Sequence, residues 1–141
     1  MSRITQIILI SMLISFAFAA GDQPNQSQTN CTVSFILPSG SVCLTEHLTP
    51  ARLTAYTQGI TTCNDLISQV DVEGNCQKCW LTMFEDYNFD GQRFTYSLET
   101  NKYTDLTEYD FVNAQGKVSN TWDRVVSAYK IKCAQTSTAE L

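Results

Sequence analysis

The chain has 141 residues and a formal charge of −5, from nine Lys/Arg against 14 Asp/Glu, with one histidine and six cysteines. Nucleic acid and anionic membrane surfaces are excluded as main partners, because both need a basic excess. A single histidine leaves no nucleophile, base and acid constellation to argue for an enzyme.

Residues 1–20 carry Arg3, an apolar run from Ile4 to Ala20 and small residues at Ala17 and Ala19. This is the pattern of a cleaved secretory signal. The run is short for a membrane span and no second one follows, so no membrane insertion is expected. Removing Arg3 with the signal leaves eight Lys/Arg against 14 Asp/Glu, a charge of −6. About 120 residues remain, enough for one domain with a core. Residues 21–30 are polar and read as a flexible arm. They hold glycosylation sequons at Asn25 and Asn30.

All six cysteines, Cys31, Cys43, Cys63, Cys76, Cys79 and Cys133, follow the signal. An even count in a small secreted chain reads as a disulfide framework, and spacing alone leaves its connectivity open. Residues 32–37 read as a strand, Pro38-Ser39-Gly40-Ser41 as a turn, and Val42 opens a return strand. A less regular stretch holding His47 in a loop-like setting leads to the acidic turn Asn64-Asp65 and a strand through Val72. The pattern then repeats. Trp80–Phe84 is a strand, and Glu85 to Gly91 a turn rich in Asn, Asp and Gly. The return strand from Gln92 alternates Phe94, Tyr96 and Leu98 on one face. Residues 100–121 read as irregular, and Asp123–Ile131 as the last strand. Trp80 and Trp122 read as core or corner residues. Each half is too small to close a core, so the two must pack together.

The run Phe84-x4-Phe89-x-Gly91 resembles the aromatic-x4-aromatic-x-Gly signature of βγ-crystallin Greek keys, and Phe35 to Ser41 resembles a degraded copy. Asn64-Asp65-Leu66-Ile67-Ser68-Gln69 is similar to that family's calcium motif, with Gln69 in place of the final Ser. Trp122-Asp123-Arg124-Val125-Val126-Ser127 is taken as its second copy, with Val126 where a hydroxyl residue is expected. The resemblance covers residues 32–132. It implies an all-β sandwich of two Greek keys with about eight strands, motif one at 31–76 and motif two at 79–133, with a tail at 134–141. It also implies disulfides Cys31–Cys76 and Cys79–Cys133 as matching staples, with Cys43–Cys63 as the remaining pair. One calcium ion is implied at the Asp65 carboxylate, the Ser68 hydroxyl and backbone carbonyls near Leu66 and Glu85, shared between the motifs. A second site at Asp123 and Val126, facing Ile36 and Leu37, would be weak or lost.

Two other motifs weigh less. Asp86 to Gly91 reads as the first half of an EF-hand loop, but Ser97 stands where the closing Glu is needed and the flanks alternate as strands. Cys76-Gln77-Lys78-Cys79 lacks the helix that a redox pair uses. The reading is a secreted, non-catalytic structural or calcium-binding module of an extracellular matrix, coat or secretory granule. The alternative is a secreted effector of the same fold. That would be an antimicrobial or killer-toxin-like protein, or a protease inhibitor acting through residues 100–121.

Overall fold

A computed structural model describes residues 28–113 and 115–135. The signal segment, the Asn25 sequon and the end of the C-terminal tail lie outside them. Ten strands are present: β1 (Asn30–Ile36), β2 (Val42–Leu48), β3 (Thr54–Thr57), β4 (Gln69–Asn75), β5 (Cys79–Phe84), β6 (Arg93–Ser97), β7 (Tyr103–Asp105), β8 (Asp110–Val112), β9 (Val118–Thr121) and β10 (Ala128–Cys133). The strand pattern β1 to β2 and β5 to β6 forms the two hairpins that the sequence repeats. Alternation sets their faces. In β1, Cys31, Val33 and Phe35 are buried while Thr32 and Ser34 are half-buried. In β10, Tyr129, Ile131 and Cys133 are buried while Lys130 and Lys132 are exposed.

Two four-stranded antiparallel sheets result, in the orders β2-β1-β4-β7 and β3-β10-β5-β6, with β8-β9 as a separate hairpin. Each motif keeps three strands in one sheet and gives its third to the other. Strand β3 leaves motif one to pair with β10, and β7 leaves motif two to pair with β4. This is a pair of Greek keys closed by exchanged strands, the fold that the βγ-crystallin resemblance implied.

The core lies between the sheets. Val33, Phe35, Val70 and Leu48 from one side meet Leu81, Met83, Ala55 and Ile131 from the other, all at most 2% exposed. The Phe35 and Tyr129 rings lie 4.6 Å apart across it. The Tyr129 hydroxyl donates to Glu46 of β2, whose other oxygen pairs with Arg52 at 2.8 Å. Burial first, and then Glu46, pushes the Tyr129 hydroxyl above its ordinary pKa, so it stays a donor at any physiological pH.

The three disulfides join Cys31 to Cys76, Cys43 to Cys63, and Cys79 to Cys133, the pairing that the resemblance implied. The two staples differ in detail. Cys79 and Cys133 are register partners of β5 and β10. In motif one Cys31 faces Gly74, so Cys76 must return from two residues beyond. Gly74 allows that return, with φ at +80° and the Asn30 carbonyl oxygen against the place where a β-carbon would stand. Loops of 45 and 54 residues closed by these staples contribute about 4 kcal/mol each on the chain-entropy account.

Several local expectations are corrected. The last strand starts at Ala128, because residues 123–125 form a turn and Val126 and Ser127 lead out of it. Residues 100–121 hold β7, a 3-10 turn at Leu106–Glu108, and the β8-β9 hairpin. Leu106, Phe111 and Trp122 anchor that stretch in the core, and the Phe111 ring meets Trp122 edge to face at 5.3 Å. His47 stands in β2, where its Nδ1 meets the Thr32 hydroxyl at 3.1 Å. Trp80 is not a core residue: it is 43% exposed, on the outer face of β5.

Gly74→Ala should cost well over the roughly 1 kcal/mol of a strained left-handed alanine, because backbone must also move. Gly40→Ala, also at positive φ but with open space around it, should cost only about 1 kcal/mol. Urea denaturation midpoints of the two variants measure the difference.

Candidate functional site

The acidic turns of the two motifs meet back to back at one end of the sandwich. The Asp65 N–H donates to the Val126 carbonyl at 3.3 Å, and the Arg124 N–H donates to the Ile67 carbonyl at 2.9 Å. The Ser68 N–H donates to Ile36, and the Ser127 N–H to Phe84, both at 2.9 Å. Asp65 and Arg124 share a left-handed backbone, with φ of 55° and 59°.

These matched bonds correct the alignment of the second motif by one residue. Asp123 corresponds to Asn64, Arg124 to Asp65 and Ser127 to Ser68, so the second copy reads Asp-Arg-Val-Val-Ser-Ala. The hydroxyl position is therefore kept by Ser127, and Val126 fills the buried place held by Ile67 in motif one. Only this register places both left-handed residues together, a backbone property with no counterpart in side-chain pattern.

Two clefts flank the turns. The first is lined by Asn64, Asp65, Glu85, Asp86, Tyr87, Arg124, Val125 and Ser127. The second is lined by Leu37, Pro38, Gly40, Ser68, Gln69, Asp105, Thr107, Asp123 and Arg124. The expected residues are thus divided. Asp65 and Glu85 share the first cleft. Ser68 opens on the second. Leu66, expected to offer its backbone carbonyl, is 47% exposed and lines neither. The hydroxyl that accompanies Asp65 is Ser127, from the other motif. It donates to Asp65 Oδ1 at 3.0 Å, while Asn64 Nδ2 donates to Oδ2 at 2.9 Å.

The hairpin turn after β5 supplies the rest. Glu85 Oε2 accepts from the Gln92 N–H at 3.1 Å, which folds the carboxylate across the turn. Gly91, at φ +72°, makes room for it. A β-carbon there would stand 2.7 Å from Asp86 Oδ2 and 3.0 Å from Glu85 Oε2. Phe89 covers the folded hairpin, with its ring 5.4 Å from Phe84 and under the Lys130 ammonium at 3.9 Å. The EF-hand likeness ends here, since strands flank this turn on both sides.

The oxygens fit a hard cation. Asn64 Oδ1, Ser68 Oγ and Asp123 Oδ1 are buried without a hydrogen-bond partner among the described residues. Buried polar atoms normally have partners. Carboxylate, amide and hydroxyl oxygens are calcium donors. Among the described residues no three His, Cys, Asp or Glu side chains are grouped to hold a metal by themselves, so a cation in either cleft needs the amide and hydroxyl oxygens as well. The two clefts differ in charge. The first holds Asp65, Glu85 and Asp86 beside Arg124. In the second, Arg124 lies 3.8 Å from Asp123. Asp105, its other acid, is held below its ordinary pKa by the Thr107 hydroxyl and then by the Thr107 N–H. Asp105 therefore supports the fold above the unfolded carboxylate pKa, and this support fades as pH falls through its lower folded value.

No family model and no curated protein matches the chain. Among solved structures, the N-terminal domain of protein S is similar at 14% identity and a TM-score of 0.42, covering 75% of this chain and 98% of that one. A double mutant of a βγ-crystallin domain from Clostridium beijerinckii is similar at 16% identity and a TM-score of 0.41, covering 74% of this chain and 98% of that one.

Asp65→Ala should cost about 1–3 kcal/mol even in chelator, because it strands the Ser127 hydroxyl, in a residue only 4% exposed, without its acceptor. Asp65→Asn keeps an acceptor and tolerates the left-handed backbone, so it should cost less than half as much. Equilibrium unfolding of both variants in chelator checks this.

Proposed function

We propose that the chain is a secreted, non-catalytic structural module whose folded state is stabilised by one calcium ion in the first cleft. Asp65 and Glu85 would supply charge there, and Asn64 and Ser127 neutral oxygens. The observation that carries this reading is the orphaned Asn64 Oδ1 beside the Asp65 and Glu85 carboxylates, where a hard cation would satisfy all three. Calcium would add positive charge to a cleft lined by Asp65, Glu85 and Asp86 and would tie the turn of motif one to the hairpin of motif two. Ser68 and Asp123 would serve a weaker second site, opposed by Arg124. The mature chain would work outside the cell, in a matrix, coat or secretory granule. There the disulfides survive and calcium is abundant.

A ligand bound only by the folded state stabilises it by mass action, about 2.7 kcal/mol at a hundredfold excess over Kd. Excess calcium should therefore raise the melting temperature of the oxidised mature protein by about 5 °C or more over chelator. Asp65→Asn, which keeps the Ser127 bond, should lose most of that rise while showing in chelator only the small loss of stability given above. A wild-type protein that melts alike in both conditions refutes the calcium assignment.

A further inference from the structure

The two outer faces of the sandwich carry opposite charge. On the sheet β3-β10-β5-β6, Lys130 and Lys132 point outward and are exposed between Tyr56 at 65% and Trp80 at 43% exposure, and Arg93 is exposed on the edge strand β6. Register sets them side by side: Tyr56 is opposite Lys130, and Lys132 is opposite Trp80. The other outward positions are hydroxyl residues, with Thr82 and Thr95 bonded across the strands at 2.9 Å, except at one end. There Phe84 and Ala128 share this side, and Phe89 lies against Phe84 under the Lys130 ammonium. Among the described strand residues of this face there is no acid. Glu85 and Glu99 lie in turns at its ends, each holding a backbone N–H.

The opposite sheet, β2-β1-β4-β7, is the reverse. Asp71 and Glu73 point outward from β4, Asp105 stands at the edge, and Tyr103 is 58% exposed. Among the described strand residues of this face there is no Lys or Arg, and His47 is the one basic side chain; Arg124 borders it at the cleft shared with Gln69 and Asp105. Lys102, at the border, is turned to the Gly74 carbonyl at 3.1 Å. Asp71 is held by Gln69, which also takes the Tyr103 hydroxyl, so the face is ordered.

We infer that the basic Tyr56–Lys130–Lys132–Trp80 face docks on the acidic Asp71–Glu73–Tyr103 face of a second copy of the same chain. The partner is chosen by complementarity: each face carries an aromatic and a charge that the other lacks. Three of the nine Lys/Arg of a chain with charge −5 gather on one sheet, so like-charged copies still meet in one orientation. A contact between two different patches is heterologous, and because these two lie on opposite faces of the sandwich it builds stacks or filaments rather than a closed pair. A four-strand face about 19 Å by 20 Å offers about 400 Å², well under the roughly 800 Å² per partner of a stable complex. The contact is therefore weak, and forms where copies are concentrated. This rests on the structural-module reading and gives that module a way to assemble.

Sedimentation velocity of the mature, oxidised protein in chelator tests it, up to about 1 mM protein, at about 20 mM and about 0.5 M salt. Chelator keeps the result independent of the calcium assignment. The average mass should rise with concentration at low salt and fall back to monomer at high salt. Lys130→Glu with Lys132→Glu, and separately Asp71→Lys with Glu73→Lys, should each stay monomeric. Mixing the two variants should restore association, which also shows that both are folded. Wild type that stays monomeric at low salt, or variants that associate as wild type does, overturns the inference. So does a monomeric wild type retained on a sulfated polysaccharide column through Lys130 and Lys132, which would give the basic face to a glycan.

Discussion

The structure depends on strand exchange between its two halves. Motif one lends β3 to the sheet of motif two, and receives β7 at the edge of its own. Neither sheet is complete without the other half, so neither motif can bury its inner face alone. The exchange brings Ala55 under Ile131 and Thr104 opposite Val70. It also forces the two acidic turns together, since each turn follows the exchanged strand back to its own sheet. The reciprocal bonds between Asp65 and Val126 and between Arg124 and Ile67 are the consequence.

Those bonds explain why the candidate cation site has mixed parentage. A left-handed residue in each turn points its neighbours toward the other motif. The carboxylate of Asp65 then finds the hydroxyl of Ser127, and Ser68 is left with Asp123. Motif two has drifted from motif one at this point, with Arg124 where motif one has Asp65. A cation in the place of an acid makes both clefts less negative and leaves the first, with Glu85 and Asp86, the more acidic of the two.

The two disulfide staples tie the first strand of each motif to its last, so the strands that carry the outer faces are held at fixed register. Beyond them, the sandwich presents two surfaces that its composition conceals. The acidic total charge hides a sheet whose exposed charges are all basic, because net charge is a sum and register is a selection. Trp80 shows the same limit. A tryptophan in an alternating strand reads as core, yet β5 places it on the outer side, since Leu81 and Met83 already fill the inner one.

Strand periodicity, the duplicated Gly-containing turns and the cysteine count were enough to determine an all-β, twofold repeat, and the resemblance those motifs carry supplied the disulfide pairing. Those properties are local or arithmetic, which is why they are legible in one dimension. The turn alignment of motif two was not, because side-chain identity put Trp122 where backbone geometry puts Asp123. Nor was the order within residues 100–121, whose short strands β7, β8 and β9 are held by Leu106, Phe111 and Trp122 packing against distant residues. Which hydroxyl accompanies Asp65, and which lysines share a face with Trp80, were decided only when the sheets closed, since both are contacts between residues more than 45 positions apart in the chain.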